Sequence, residues 1–358
     1  MKRVFVFQDF KSQKFWSVDV QGTDVIVNYG KLGTDGQTQV KNFSTVEEAE
    51  KAAAKLINEK TKKGYEETPE DEARGMKVEA KKYALTYDEC DKGVALADKI
   101  LNDKKLPELK QITVGCWSYE CDDCGEVVKT LLASKEKLAH IEGLFWGDIE
   151  QEEQEISWIE QVDLSELLDA MPLLSELKIQ GTNNLSIGKT ERPNLKKLEI
   201  ISGGLPVSVV QDIVGSKFPN LESLILYLGE ENYGFDGTLE DFKPLFSKER
   251  FPKLTTLGIV NAEDEDAVVQ MFLDSDILPQ LETMDISAGV LTDKGGQLLL
   301  DHAGKLQHLK FINMYYNYLS DEMKKKLQKA LPMKLDMSDT QEAEEDDDEV
   351  YRYPMITE

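Results

Sequence analysis

The chain has 358 residues, of which 68 are acidic and 42 basic, giving a formal net charge of −26. This charge excludes a protein that coats nucleic acid uniformly and argues against binding to anionic membranes, because both surfaces would repel it. Since 41 % of the residues are hydrophobic, the chain can bury cores, and wholesale disorder is excluded.

The first 65 residues differ from the rest in charge and in pattern. They carry eleven basic and eight acidic side chains, a net +3, so the remaining chain carries −29. Apolar and polar residues alternate through residues 1–43, and Ser44 or Thr45 then caps a helix running from Val46 to about Lys63. This pattern predicts an α+β domain over residues 1–65, with a small antiparallel sheet and one packed helix.

Within this domain, the run from Val27 to Gln37 resembles the signature segment of the WGR domain family, and so does the helix exit from Glu59 to Tyr65. Tyr29, Gly30 and Lys31 stand at the positions of the family's Trp, Gly and Arg. Tyr keeps an aromatic face, whereas Lys keeps the charge but loses the planar fork of Arg.

The resemblance implies nucleic-acid binding, including contacts with DNA ends of the kind made in poly(ADP-ribose) polymerases. Three helix lysines at i, i+4 and i+11 share one face and would support that contact. The alternative is that Tyr29 only packs at a sheet edge, while the lysines form a solvent-exposed face of the helix. The candidate nucleic-acid residues are Tyr29, Gly30, Lys31, Lys51, Lys55 and Lys62.

Residues 66–82 are acidic and interrupted by Pro69, and they are interpreted as a linker. Farther along, Asp91 to Asn102 has the pattern of an amphipathic helix that ends before Pro107.

From residue 107 a Pro-x-Leu-x-x-Leu-x-Leu pattern recurs, with spacings of 21 to 33 residues between the first leucines of the copies that start at Leu174. In Leu-x-Leu the two leucines point into one core while the residue between them faces outward. The copies start at Pro107, Pro193, Pro219, Pro252 and Pro279, with related segments at Leu174–Ile179 and Leu309–Leu319.

The repeat resembles the longer class of leucine-rich repeat, in which a helix separates successive strands. This implies an α/β solenoid over residues 83–340, with a helical N-terminal cap and one parallel strand per repeat. The whole order resembles a bacterial family that joins a WGR domain to leucine-rich repeats, sometimes named after a molybdate-metabolism regulator. That resemblance implies an architecture and no particular activity.

In such a solenoid, the residues between and just after the core leucines line the concave face. Apolar and aromatic residues become more frequent there toward the C-terminal half, which predicts a surface for a protein partner. The alternative is that these side chains pack against one another. The candidate protein-binding residues are Ile201, Ile225, Tyr227, Val260, Phe311, Asn313 and Tyr315.

No catalytic motif is recognisable, so the sequence predicts neither an enzyme nor a cofactor. Cys116, Cys121 and Cys124 with Cys90 have iron–sulfur-like spacing, but the fourth cysteine precedes the triplet instead of following it. Structural cysteines are therefore predicted, with zinc at Cys121 and Cys124 as the alternative. No metal site is assigned.

Residues 341–358 form an acidic tail in which seven of the eight residues 342–349 are carboxylates, and this part is expected to be disordered. The apolar and aromatic residues 350–358 are expected to dock back on the solenoid or onto a partner.

Together these features predict a non-catalytic interaction protein with a nucleic-acid contact in its first domain and a protein-binding solenoid. The alternatives are an adaptor that binds only proteins, or an enzyme whose carboxylates meet only in the fold. No apolar run approaches the roughly 18 residues that span a bilayer, and the run from Val4 to Phe7 is too short for a signal peptide. A cytoplasmic location is therefore predicted.

Overall fold

The computed structural model describes residues 2–10, 12–120, 122–346 and 349–357. The chain divides into two compact units. The first comprises Met1–Lys82 with Pro107–Thr113, and the second comprises Tyr83–Leu106 with Val114–Glu358.

The first unit opens with an antiparallel sheet followed by one helix, which confirms the predicted α+β arrangement. Its elements are β1 (Arg3–Gln8), β2 (Gln13–Gln21), β3 (Asp24–Lys31), β4 (Gln37–Asn42) and α1 (Val46–Lys62). Each strand pairs with the next one in the chain. Thr45 caps α1, because its hydroxyl accepts a hydrogen bond from the Glu48 N–H.

The core of this unit lies between the sheet and α1. Phe5, Trp16 and Val18 pack against Ala49 and Ala53, and each of the five is at most 5 % exposed. The two alanines carry only a methyl group, so the helix can lie close to the aromatic rings. Burial of this apolar area stabilises the unit by roughly 25 cal/mol per Å².

The turn between β3 and β4 depends on two glycines in contact. A Cβ on Gly30 would lie 2.7 Å from the Cα of Gly36, and a Cβ on Gly36 would lie 2.6 Å from the Phe15 ring. Gly36 also has a φ of +69°, which L side chains rarely adopt. The glycine spacing of the WGR-like segment therefore has a packing reason at Gly30.

Residues 66–82 are structured, which differs from the linker expected there. They form β5 (Glu66–Glu67), α2 (Glu70–Gly75) and the start of β6 (Ala80–Tyr83). The first of these strands pairs with β1, and Arg3 forms a salt bridge of 2.7 Å to Glu67. The open edge of β1 offers main-chain partners that do not depend on side-chain polarity, so an acidic segment can add a strand there.

The second unit repeats a strand and a helical segment, which confirms the predicted α/β architecture. The strands that follow β6 are β7 (Gln111–Val114), β8 (Gly143–Trp146), β9 (Glu176–Gln180), β10 (Lys197–Ile201), β11 (Ser223–Gly229), β12 (Thr256–Ala262), β13 (Thr283–Asp285), β14 (Phe311–Asn313) and β15 (Lys334–Asp336). Within the second unit the sheet order runs without a crossover from β15 to β8. From β8 to β15 every neighbouring pair is parallel.

Helices lie in most of the connections between the strands, although residues 181–196 between β9 and β10 contain none. They are α3 (Tyr87–Asp91), α4 (Leu96–Leu101), α5 (Gly125–Leu132), α6 (Ser165–Asp169), α7 (Val207–Gly215), α8 (Leu239–Phe242), α9 (Glu265–Asp274), α10 (Asp293–Asp301), α11 (Ala303–Leu306) and α12 (Asp321–Ala330). Among the described residues, no helix is long and apolar enough to cross a membrane.

The C-terminal segment contains a hairpin where disorder was expected. β16 (Glu344–Asp346) pairs antiparallel with β17 (Glu349–Tyr351) in a sheet of two strands. Pairing of this kind uses main-chain N–H and C=O groups, so it is compatible with an acidic sequence. Asp347 and Asp348 of the expected disordered run lie outside the described residues.

One acid lies wholly inside the second unit. Glu265, at the start of α9, is 0 % exposed. Its Oε2 accepts a hydrogen bond from the Ala262 N–H at 3.1 Å, whereas its Oε1 has no partner. Desolvation raises the pKa of Glu265 well above its usual value, and the neighbouring carboxylates of Asp285 and Asp266 raise it further.

We therefore expect Glu265→Gln to stabilise the protein increasingly as the pH rises. The folded state keeps a proton that the unfolded state releases above about pH 4.3, so Glu265 lowers stability at higher pH. The gain over the wild-type chain should grow as the pH rises above about 4.3 towards the raised pKa of the folded state, by at most about 1.4 kcal/mol per pH unit. Urea unfolding measures it, with the exposed Glu108→Gln as the control. A gain that is independent of pH would contradict the raised pKa.

Candidate functional site

The face of the first sheet that carries α1 also carries two rows of side chains across the strands. Phe5, Trp16 and Tyr29 are cross-strand partners in one row. One step along the strands, Phe7 pairs with Lys14, and Lys14 pairs with Lys31. Because side chains two residues apart share a face, Tyr29 and Lys31 point to the same side of the sheet.

The last turns of α1 bring a further lysine over this face. Lys60 continues the buried stripe of Ala49 and Ala53, seven residues after Ala53. Its Nζ lies 5.8 Å from the centre of the Trp16 ring and 4.8 Å from that of Tyr65. These distances are within cation–π range.

The pKa of Lys60 is lowered first by desolvation and then by the positive charges of Lys63 and Lys14. These lysines therefore concentrate charge beside aromatic rings. We call the group the lysine–aromatic patch; it consists of Phe7, Lys14, Trp16, Tyr29, Lys31, Lys60, Lys63 and Tyr65. Within the described part of the chain, none of its lysines forms an ion pair.

Of the residues predicted for nucleic-acid contact, the structure brings Tyr29 and Lys31 together, and it places the others elsewhere. Gly30 alternates to the opposite face of the sheet. Lys51 and Lys55 each come two positions after a buried alanine of α1, about 200° around the helix. They are exposed on the outer side with Lys62, away from Tyr29.

Sequence reasoning missed Lys14, Lys60 and Lys63. Lys60 could have been found from the sequence, because its spacing from the apolar residues of α1 places it on the same face of the helix. Lys14 could be found only from the register of β2 with β3.

The outward residues of the solenoid strands form continuous rows. One row runs through Lys178, Glu199, Ile225, Gly258, Asp285 and Asn313, each paired with the next. Lys178 forms a salt bridge of 3.0 Å to Glu199. Asn313 donates a hydrogen bond of 3.0 Å to the carboxylate of Asp285. Much of this row is therefore polar and satisfied within itself.

The candidate protein-binding residues are less accessible than the sequence suggests. Val260 is only 1 % exposed, which corrects its assignment to an open surface. The residue after Val260 is Asn261, which holds the main chain of Ile356, so the C-terminal segment lies at this end of β12. A sequence pattern cannot show such a distant neighbour.

Tyr227 is also partly withdrawn from solvent. Ile201, Ile225 and Phe311 are half-buried like Tyr227, and Lys334 covers Phe311 with its Nζ 4.5 Å from the ring centre. Burial raises the pKa of Tyr227, and the carboxylates of Glu199 and Asp285 raise it further. Tyr315 differs, because it is 38 % exposed.

The described cysteines are free, and two of them, Cys116 and Cys124, are buried. Burial raises the pKa of Cys116 to about 11 and that of Cys124 to about 12. Cys124 donates a weak hydrogen bond to Gln161 Oε1 at 3.5 Å. Over the described residues, no three His, Cys, Asp or Glu side chains are grouped to hold a metal ion. Cys121, the other half of the alternative zinc pair, lies outside those residues.

Comparison with known proteins bears on both parts of the chain. Residues 1–72 match the WGR domain family. The uncharacterized protein YfeS and the protein YehF of Escherichia coli K12 are 49 % and 51 % identical to this chain over 69 residues. This region is 28 % of YfeS and 25 % of YehF, so the chain spans about a quarter of the length of these relatives.

A crystal structure of a Bacteroides fragilis protein is similar over nearly the whole chain. It is 75 % identical in sequence, with a TM-score of 0.93. The match covers 96 % of this chain and 97 % of that one. The likeness therefore extends through both units.

The burial of the two tyrosines predicts opposite responses to truncation. Tyr227→Ser should lower the free energy of unfolding by about 2–4 kcal/mol, because a large half-buried ring is lost. Tyr315→Ser should change it by less than about 0.5 kcal/mol, because the side chain is at the surface. Urea unfolding of the two single variants measures the difference, and equal losses would contradict it.

Proposed function

The chain belongs to the family of WGR-containing bacterial proteins represented by the Bacteroides fragilis structure, and on that premise we propose that it is a non-catalytic binding protein. Its WGR module contacts nucleic acid, and its solenoid binds a protein partner. WGR domains in general are nucleic-acid-binding modules, which supports the first half of the proposal.

The lysine–aromatic patch is the observation that carries the nucleic-acid contact. Lys14, Lys31, Lys60 and Lys63 supply positive charge for phosphates. Ion pairs with phosphate release counterions and give most of the affinity in such complexes. The rings of Phe7 and Tyr65, 5.3 Å apart and half-buried, supply faces on which an unpaired base can stack.

The combination of charge and aromatic faces favours unpaired ends or single strands over a continuous duplex. A stacking base must leave its own stack, which costs least where it is already unpaired.

Tyr29 contributes to the patch mainly by position. Its ring packs against the core, and its hydroxyl accepts a hydrogen bond of 2.9 Å from the Gln39 amide. A residue held in this way is half-buried and fixed in place, whereas Lys31 beside it is exposed. In this reading Lys31 makes the phosphate contact and Tyr29 orders the strand that presents it.

The second candidate function is an adaptor that binds only proteins. The acidic charge of residues 66–358 favours it, since a net −29 opposes any polyanion. In that case the patch would hold an acidic segment of a partner protein, and DNA would not compete for it.

Matched charge reversals separate these functions in the full chain. Lys31→Glu with Lys63→Glu alters exposed residues of the patch, whereas Lys51→Glu with Lys55→Glu makes the same charge change on the outer face of α1. We expect at least a tenfold loss of DNA affinity from the first pair and less than a threefold loss from the second. The affinity should also fall steeply with salt.

The measurement is fluorescence anisotropy with labelled single-stranded, duplex and nicked DNA at about 50 mM salt, where such contacts are strong. Circular dichroism checks that each variant is folded. Absence of binding to all three DNAs would overturn the nucleic-acid half of the proposal. Equal losses from the two pairs would show that the contact does not lie at the patch.

A further inference from the structure

The C-terminal segment crosses the carboxyl ends of the parallel strands in the second unit. The hydroxyls of Tyr316 and Tyr318 both donate to the Tyr353 carbonyl, at 3.3 and 2.9 Å. The Tyr318 hydroxyl also accepts from the Tyr353 N–H at 3.0 Å. Two residues on, the Met355 N–H donates to the Ala288 carbonyl at 2.7 Å.

Asn261 makes the most specific of these contacts. Its side-chain amide donates to the Ile356 carbonyl at 2.7 Å, and its Oδ1 accepts from the Ile356 N–H at 2.8 Å. One side-chain amide thus forms hydrogen bonds with both the N–H and the C=O group of a single residue. Asn261 is 0 % exposed and has a φ of +59°, a conformation that Asn tolerates better than most residues.

The far end of the segment fits against a glycine. A Cβ on Gly203 would lie 2.7 Å from the carbonyl oxygen of Thr357. Any larger residue would therefore push the main chain away. The contacts run from the loop after β14, past the loop after β13 and the last residues of β12, to the loop after β10.

Every hydrogen bond described above is made to a main-chain group of the C-terminal segment. Pro354 is buried, whereas Tyr353 and Met355 are 45 % and 39 % exposed. Proline fixes its own φ and holds the preceding residue extended, so an X-Pro pair arrives in the conformation that the site accepts. The chemistry fits an extended peptide with proline two residues before an aliphatic residue.

The segment follows an acidic stretch and a short hairpin. Seven of the eight residues 342–349 are carboxylates, which repel one another. β16 and β17 pair only with each other, and a hairpin of two strands is at best marginally stable in water. Segments of this kind open locally at a small part of the cost of global unfolding.

We propose that the carboxyl ends of strands β10 to β14 form a binding site for an extended, proline-containing peptide of a partner protein, which residues 353–357 occupy until that peptide displaces them. Crevices at the carboxyl ends of parallel strands are a recurrent location for ligands in open α/β sheets. The proposal deepens the protein-binding half of the proposed function and rests on it, but it does not depend on the nucleic-acid contact.

The test uses the full chain with a weakened C-terminal segment. Pro354→Asp places a charge at the buried position, and Met355→Pro removes the N–H that bonds Ala288. The probe is a labelled synthetic peptide with the sequence of residues 350–358, and fluorescence anisotropy measures its affinity. We expect the double variant to bind it at least tenfold more tightly than the wild-type chain, because a tethered segment competes at a high effective concentration.

Asn261→Gly, added to the double variant, should remove most of this binding. Glycine tolerates the positive φ, so the main chain at the end of β12 is preserved while the amide is lost. Asn184→Gly is the matched control: Asn184 also has a positive φ, of 57°, and hydrogen-bonds Glu160 away from the C-terminal segment. A probe peptide with alanine in place of proline should bind more weakly in every variant.

Several results would overturn the proposal. The probe could fail to bind the double variant although circular dichroism shows it folded, or binding could be insensitive to Asn261→Gly. A concentration-dependent dimer of the wild-type chain that Asn261→Gly abolishes would assign the site to the segment of a second copy instead. If the probe fails while another protein still binds the solenoid, only the peptide site is lost. The DNA assay judges the other half separately.

Discussion

The second unit depends on one physical requirement, which is that the apolar edge of each repeat must be covered by the next. Leu177, Leu198, Leu224, Leu257, Met284 and Ile312 stand in register across neighbouring parallel strands, and none is more than 1 % exposed. A strand of three to seven residues cannot bury such side chains alone. Stacking therefore fixes both the register and the direction in which every intervening residue points.

That register explains why the outward rows are polar where the sequence suggested apolar anchors. Residues brought into line by the stacked leucines become cross-strand neighbours, and opposite charges and amides then pair locally. Lys178 with Glu199 and Asn313 with Asp285 are such pairs. The apolar members of the rows are partly covered by their neighbours, whereas at the carboxyl ends of the strands Asn261 hydrogen-bonds the main chain of Ile356.

In the first unit, alternation along the strands and the packing of α1 together determine which charged side chains share a face. Alternation along β3 places Tyr29 and Lys31 on one face, and the packing of α1 on that face brings Lys60 over Trp16. The same packing turns the exposed lysines of the outer helix face away. A cluster of positive charge is thereby confined to one end of a small sheet on a strongly acidic chain, and the glycine pair at the β3–β4 turn keeps the strand that presents it in place.

The sequence by itself determined the order of the two units, the sheet and helix of the first, the repeating strands of the second, and the shared face of Tyr29 and Lys31. These features follow from periodicity within a few residues, since a strand repeats every two residues and a helix every 3.6. Only the tertiary structure decided that residues 66–67 add a strand to β1, that Lys14 and Lys60 join the patch, and that Val260 is buried. It alone placed Ile356 on Asn261, 95 residues away. Contacts of this kind are set by main-chain hydrogen bonds and by the register between distant segments, and neither leaves a periodic signal in the side chains.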